Sequence, residues 1–461
     1  MHDVIVIGGG ISGLTTAYNL RQEGYSVRLL EAAPQVGGNI RTEEMDDFRL
    51  EVGPHSFMGS SENVWKLTSA LQLEVEAEPA QAASRFRYIY RDGRLHPLPM
   101  GPGMFLRTPL LSLGAKLRLG LEPFIPNGAR ENDTAWEFFC RRFGREAATY
   151  IMSPFVSGVY AGDVRMLGAR AAFHKFWEFE KNGGSMILGA VKYMRAKRRR
   201  LAAEGITPRR GLFSFRGGLG RITAHLGAEL GDAVRTGTPV ETIIPTAGGF
   251  HVRTVADTFA GRSIVLAVPP AAAARILSEA LPELQPEFSA IPMAPVAMVH
   301  WTPGPGRNGG PPGFGFLMPQ HYDLRVLGTI FASQLFSRRA PAGSALYASF
   351  YGGMHDPAAM ALSDSELTAL VTSEHRHIFG DDALRPQVIR IRRYPEAIPQ
   401  LLPQHPERIA AIEHQVQQLP GLFLAGNYLT GVGIEHATES GYRAAAACSG
   451  FLRSPAAEGA R

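Results

Sequence analysis

An α/β chain organised around a parallel, dinucleotide-binding sheet is what this sequence predicts, and three features carry that prediction. An apolar run at residues 4–7 enters a glycine-rich loop, Gly8-Gly9-Gly10-Ile11-Ser12-Gly13, and Leu14, Ala17, Tyr18 and Leu20 then recur at helical spacing. A second apolar run at 27–30 ends on Glu31. Near the far end, Leu422-Phe423-Leu424-Ala425-Gly426-Asn427 again runs into glycines, Gly431-Val432-Gly433, and an Ala-rich helical stretch.

Each part of the opening has a physical reason. Gly8 permits the tight turn, Gly10 lets a pyrophosphate approach the backbone, and Gly13 lets helix and strand pack closely. The helix N-terminus offers N–H groups and the positive end of its dipole to the phosphate. Glu31 closes the second strand, where a carboxylate can accept hydrogen bonds from ribose hydroxyls. It disfavours a ribose 2′-phosphate, so NAD and FAD remain and NADP does not.

Length and composition bound the rest. With 461 residues, 45% of them hydrophobic, the chain can form two or three domains with a substantial core, and disorder is excluded. Lys and Arg (47) exceed Asp and Glu (42), a net charge of +5, and nothing points to nucleic acid. Cys140 and Cys448 are too few for a disulfide scaffold, a cysteine-ligated iron–sulfur cluster or a zinc ribbon, so no metal and a reduced compartment are expected. No apolar run reaches spanning length. No basic stretch with an apolar run precedes the folded sequence, so no signal peptide is expected.

Beyond the loop, residues 86–205 show apolar residues at helical spacing between prolines and glycines. Cations flank an apolar cluster (Arg107, Lys116 and Arg118 around Leu110, Leu111, Leu113, Leu117, Leu119 and Leu121), and Arg195, Lys197, Arg198, Arg199 and Arg200 form a basic run. This reads as a helical insertion able to touch an anionic membrane surface. Strands are expected at 240–244, 263–268, 296–300 and 346–351, and a solvent-exposed loop at 304–313.

The segments Gln35-Val36-Gly37-Gly38-Asn39-Ile40-Arg41-Thr42 and Glu51-Val52-Gly53-Pro54-His55-Ser56-Phe57 resemble the second fingerprint of the FAD-dependent amine oxidase superfamily. Together with Arg87-Tyr88-Ile89-Tyr90, Leu95-His96-Pro97-Leu98-Pro99, Ser157-Gly158-Val159-Tyr160-Ala161-Gly162-Asp163, Gly313-Phe314-Gly315-Phe316-Leu317, Ile398-Pro399-Gln400 and Gly431-Val432-Gly433-Ile434, they make the chain similar to the protoporphyrinogen oxidases. Asn39 departs from relatives that carry an aromatic residue or arginine there.

The resemblance implies an FAD-binding Rossmann-like domain of the p-hydroxybenzoate hydroxylase/monoamine oxidase type. An α+β substrate domain and the helical membrane-contacting insertion complete it. The boundaries are 1–85, 211–289 and 419–461 for the FAD domain, 86–210 for the insertion and 290–418 for the substrate domain. It implies non-covalent FAD held by Gly8, Gly10, Ile11, Ser12, Gly13, Glu31, Gly37, Gly38, Asn39, Arg41, Gly53, Pro54, His55, Ser56, Val240, Asn427, Gly431, Val432, Gly433 and Ile434. It puts Arg87 opposite a propionate, Phe314, Leu317, Ile330 and Phe350 along the apolar walls, and the Gly158 carbonyl toward the macrocycle.

The implied reaction is oxidation of a porphyrinogen in three two-electron steps. No second G-x-G-x-x-G lies between a strand and a helix, so oxygen, yielding hydrogen peroxide, or another acceptor reoxidises the flavin. No side chain is assigned as general base; His55, His96 and His436 are read as structural. Further implied are a cytoplasmic, membrane-peripheral location, ferrochelatase as a partner and a homodimer. Coproporphyrinogen III oxidase of the flavin type is the near alternative. An amine oxidase, a carotenoid desaturase and a flavin-free dissociation inhibitor are remoter ones.

Overall fold

Two seven-stranded sheets carry the molecule in its computed structural model, which describes residues 1–205, 208–304 and 310–454. The first holds four adjacent strands, Val234–Arg235, Val27–Leu30, His2–Ile7 and Thr258–Leu266, all parallel. Leu422–Leu424 pairs parallel to Thr258–Leu266, and Gly249–Thr254 and Val240–Thr246 continue the sheet antiparallel. The unbroken apolar run at 4–7 has its explanation here, because both faces of the sheet are covered. Val4 and Val6 pack under the helices Ile11–Gln22 and Ile434–Leu452; Ile5 and Ile7 pack against Pro270–Ile276, Leu284–Ser289 and His405–Val416.

The second sheet runs Gln387–Pro399, Met293–Thr302, Tyr347–Gly352, Val326–Ile330, Gly315–Leu317, Arg87–Arg91, Arg94–Pro97. Its back is a closed core of Trp301, Phe316, Phe331, Tyr347 and Tyr351 under the helix Asp364–Phe379. Several buried polar groups there are paired. The Trp301 indole N–H donates to Ser349 Oγ (2.8 Å), and Thr329 and Ser349 share His375 Nε2 (2.8 and 3.0 Å).

The hairpin Arg87–Pro97 departs from the helical reading of 86–205: it forms the edge of this sheet. The local signal is Asp92-Gly93, whose φ values of 50° and 80° make a two-residue turn that matches strand twist. The helices begin at Pro102–Arg107 and end at Met186–Ala203. They pack around Phe138, Phe139, Phe173 and Trp177, and the fully buried Arg142 donates to Glu122 (2.8 Å) inside them. Of the expected loop at 304–313, residues 305–309 lie outside the described residues.

Candidate flavin and substrate site

The glycine loop is built as its spacing requires. A Cβ on Gly8 would run into the Ala267 carbonyl oxygen, and one on Gly13 into the Gly8 carbonyl oxygen. A Cβ on Gly10 would meet nothing within 4 Å. Gly8 and Gly13 serve packing; Gly10 faces open space.

Beside it the Ile434–Leu452 helix runs parallel to Ile11–Gln22. Ser12 Oγ donates to the Ala437 carbonyl (2.8 Å), Thr16 Oγ1 donates to that of Gly441 (3.0 Å), and Gly441 allows the close approach. Both helices start at glycine N-caps, Gly10 and Gly433, with no side-chain cap. Two sets of N-terminal N–H groups therefore stand next to each other, free for an anion. Ser12 contributes through its backbone, since its hydroxyl is already engaged.

Glu31 lies against the loop, accepting from the amides of Gly9 (2.5 Å) and Ala33 (2.7 Å). Thr238 N–H donates to the Glu31 carbonyl (2.9 Å), which brings the start of the Val240–Thr246 strand to the same place. Gly37 N–H donates to the Gly9 carbonyl (2.7 Å), and a Cβ on Gly38 would lie 3.3 Å from Gly10 Cα. Arg41 Nε donates to the Gly38 carbonyl (3.0 Å), and Gly53 fits against Asn39.

From Gly53 the chain turns inward. Glu51 is buried, accepting from Leu219 N–H (2.9 Å) and Thr42 Oγ1 (2.7 Å), and burial raises its pKa to about 7. His55 is buried 6.4 Å, ring to ring, from His300, and burial lowers their pKa values to about 3 and about 4. Both are neutral at pH 7. His96 Nε2 contacts its own hairpin at the Arg91 carbonyl (3.2 Å), and the His436 ring packs on Gly431.

Sheet register assembles the other side of the candidate site. Arg87 pairs with Gly315, Gly315 with Ile330, and Ile330 with Ala348; two residues along, Ile89, Leu317, Gly328 and Phe350 form the next row. Side chains two apart share a face. Arg87, Leu317, Ile330 and Phe350 therefore project from one face, while Tyr88, Phe316, Thr329 and Ser349 project into the core behind it. Met298 opposes Phe350 and His300 opposes Ala348, so His300 belongs to the front face too.

That face meets the flavin-side hairpin: Arg392 pairs with Glu43, and Tyr394 Oη donates to the Val52 carbonyl. The Arg87 guanidinium lies 5.3 Å from the Phe314 ring with no carboxylate partner among the described residues, and burial lowers its pKa. The helix Ser153–Tyr160 lies over the face. A Cβ on Gly158 would overlap Leu317, and the Gly158 carbonyl has no backbone partner among the described residues. Val432, from the C-terminal glycine turn, packs on the core of the helical segment.

A model of flavin-containing amine oxidoreductases matches residues 11–449. The chain belongs to that family. It is 31% identical to the chloroplastic protoporphyrinogen oxidase of Nicotiana tabacum, over 98% of this chain and 86% of that one. It is 27% identical to the coproporphyrinogen III oxidase of Bacillus subtilis, over 95% and 96%. Among solved structures, a candidate protoporphyrinogen oxidase of Exiguobacterium superposes with a TM-score of 0.81 at 24% identity, over 98% and 99% of the two chains.

The protein is a flavin-dependent oxidoreductase with FAD as its cofactor. The open space at Gly10 and the two uncapped helix N-termini fit a pyrophosphate. Among the described residues no cluster of three or more His, Cys, Asp or Glu side chains could hold a metal ion. Sequence reasoning missed His300 and Tyr394, since strand pairing between distant segments made each of them part of the site.

Proposed function

We propose that this flavin-containing amine oxidoreductase converts protoporphyrinogen IX to protoporphyrin IX. The reading rests chiefly on one arrangement: an arginine, Arg87, with no carboxylate partner among the described residues, at the edge of an apolar floor of Leu317, Ile330 and Phe350, in a chain 31% identical to a protoporphyrinogen oxidase. Bound FAD supplies the hydride acceptor for each of three two-electron oxidations, and oxygen takes the electrons on as hydrogen peroxide.

The FAD is held non-covalently at its pyrophosphate by the backbone of Gly8, Gly10, Ile11, Ser12 and Gly13 and of Gly431, Val432, Gly433 and Ile434. Glu31 and Val240 flank its adenosine end. Gly37, Gly38, Asn39, Arg41, Gly53, Pro54, His55, Ser56 and Asn427 flank the rest. Arg87 holds one propionate by a charge-assisted hydrogen bond. Leu317, Ile330, Phe350 and Phe314 exclude water from the ring, and the Gly158 carbonyl accepts a pyrrole N–H. Neutral His55 and His300 add no charge beside the apolar substrate.

Coproporphyrinogen III is the second reading, favoured by the likeness to the Bacillus subtilis enzyme. It carries four propionates rather than two, and each further carboxylate needs a cation or water. Arg87, half-buried and without a carboxylate partner among the described residues, favours protoporphyrinogen. Aerobic turnover of both porphyrinogens side by side tests this: the higher kcat/KM is expected for protoporphyrinogen IX, and a higher value for coproporphyrinogen III replaces the substrate while leaving the flavin chemistry in place.

The reading extends to a cytoplasmic protein resting on an anionic membrane, supported by Leu113 (74% exposed), Leu117 (63%) and Phe124 (81%) on one stretch of the helical segment. No helix among the described residues is long and apolar enough to cross a membrane. A homodimer and a ferrochelatase partner have the family resemblance alone behind them.

A further inference from the structure

We infer that Gln320 and Gln400 are positioning residues that set the height of the Gly158 helix above the substrate floor. The Ser153–Tyr160 helix ends abruptly because Ala161 takes a left-handed conformation, φ 46°. Three successive carbonyls from the helix's last residue onward need donors, and three separate segments of the second sheet's domain supply them. Gln400 Nε2 donates to the Tyr160 carbonyl, Met354 N–H to that of Ala161, and Gln320 Nε2 to that of Gly162, each at 2.8 Å.

Gln320 grips the other end as well, since its Oε1 accepts from Ser153 Oγ (3.2 Å). Gln400 is buried and also donates to the Ile398 carbonyl (3.1 Å). Two glycines permit this proximity: a Cβ on Gly162 would lie 2.5 Å from Gln400 Oε1, and one on Gly353 2.5 Å from the Ala161 carbonyl oxygen.

The consequence falls on the slot. Gly158 already presses on Leu317, so any drift of this helix moves the Gly158 carbonyl relative to the row holding Leu317 and Phe350. Two of the three restraints are side chains and can be removed one at a time. Deleting a donor leaves a carbonyl that must find water or shift.

The inference rests on the porphyrinogen reading. Its test uses Gln320→Met and Gln400→Met, which keep side-chain length and lose the donor, and Ser153→Ala, which loses only the contact orienting Gln320. Three quantities are measured on the FAD-loaded protein: flavin content, Kd for protoporphyrin IX by fluorescence titration, and the split between KM and kcat. Flavin content and kcat are expected to hold while Kd and KM rise about three- to tenfold.

Unchanged Kd and KM with a lowered Tm would make the glutamines structural only and overturn the inference. Should Gln400→Met fail to fold, Gln320→Met and Ser153→Ala carry the decision. A wild-type protein that binds no porphyrin overturns the functional reading and this inference with it. A wild type that binds it as tightly as all the variants overturns the inference alone.

Discussion

Gly10 and Gly13 differ by three positions and by opposite surroundings, and substitutions there should separate folding from cofactor binding. Gly10→Val places its side chain where the protein has nothing within 4 Å. It should fold normally and lose the yellow flavin absorption, because the branched side chain occupies the pyrophosphate's space. Gly13→Ala instead drives a Cβ into the Gly8 carbonyl oxygen. It should lower stability by about 1–3 kcal/mol in urea unfolding, as overpacking does. A Gly10→Val protein that stays fully yellow removes the nucleotide assignment.

Arg87 is the other single residue on which much turns. Arg87→Ala should raise KM about ten- to a hundredfold and leave kcat nearly unchanged, because a propionate anchor serves ground and transition states alike. Steady-state kinetics with an unaltered KM would take that role from Arg87 without touching the fold.

Among the elements, the helix Leu113–Gly120 shows most clearly what a membrane face would be made of. Leu113, Leu117 and Leu121 follow at four-residue intervals and are 74%, 63% and 55% exposed. Helical geometry puts them on one side. The cations nearby are less free than their sequence suggests. Arg118 donates to the Arg142 carbonyl (3.1 Å) and so braces the next helix, while Lys197 and Arg200 pair with Glu62 (3.0 and 2.7 Å).

Arg195, Arg198 and Arg199 remain exposed for an anionic surface, each contributing about 1 kcal/mol near one. The protein should therefore co-sediment with anionic vesicles and be released only in part by salt, which screens the charges but not the leucines. Leu113→Ser with Leu117→Ser should weaken that binding and leave urea stability within about 0.5 kcal/mol, as exposed substitutions do. Equal binding to neutral vesicles would remove the basic run from the account.

For the molecule as a whole, buried titratable groups set a pH profile. His55, His300 and His375, with pKa values lowered by burial to about 3, 4 and 4, refuse protons that the unfolded chain takes up below its ordinary histidine value near 6.5. Each therefore costs about 1.4 kcal/mol of stability per pH unit as pH falls through that window. Glu51 and Glu374, raised to about 7 by burial, act oppositely: the folded protein holds their protons between about 4.5 and 7, so stability falls there as pH rises.

Between 6.5 and 4.5 the two glutamates offset two of the three histidines, and the third leaves a net loss of about 1.4 kcal/mol per pH unit as pH falls. Below 4.5 the glutamates no longer offset the histidines, and carboxylates held in ion pairs, such as Glu62, begin to lose them. The urea midpoint should fall gradually from pH 6.5 to 5 and more steeply below 4.5. A midpoint that stays flat or rises as pH falls from 6.5 to 5 would contradict the neutral burial of the histidines.

The nucleotide loop, the first two strands and the helix between them were legible in the chain because they are local: period, glycine spacing and a terminal carboxylate lie within one short stretch. The fingerprint segments were legible for the same reason. The hairpin at Arg87 was misplaced although Asp92-Gly93 marked it, because helical periodicity in the residues after it masked the alternation. No local pattern marks which residues share the Arg87 face; the family resemblance alone named Arg87, Leu317, Ile330 and Phe350 together, and strand register puts them on one face. Arg87, Ile330 and Phe350 become neighbours only through strand register between segments far apart in sequence, and a shift of one residue would turn each to the opposite face. Nor does any local pattern mark His300, Gln320 or Gln400. Their roles follow from which buried carbonyls and rings lie opposite them, and that is set when the two sheets and the helices between them pack together.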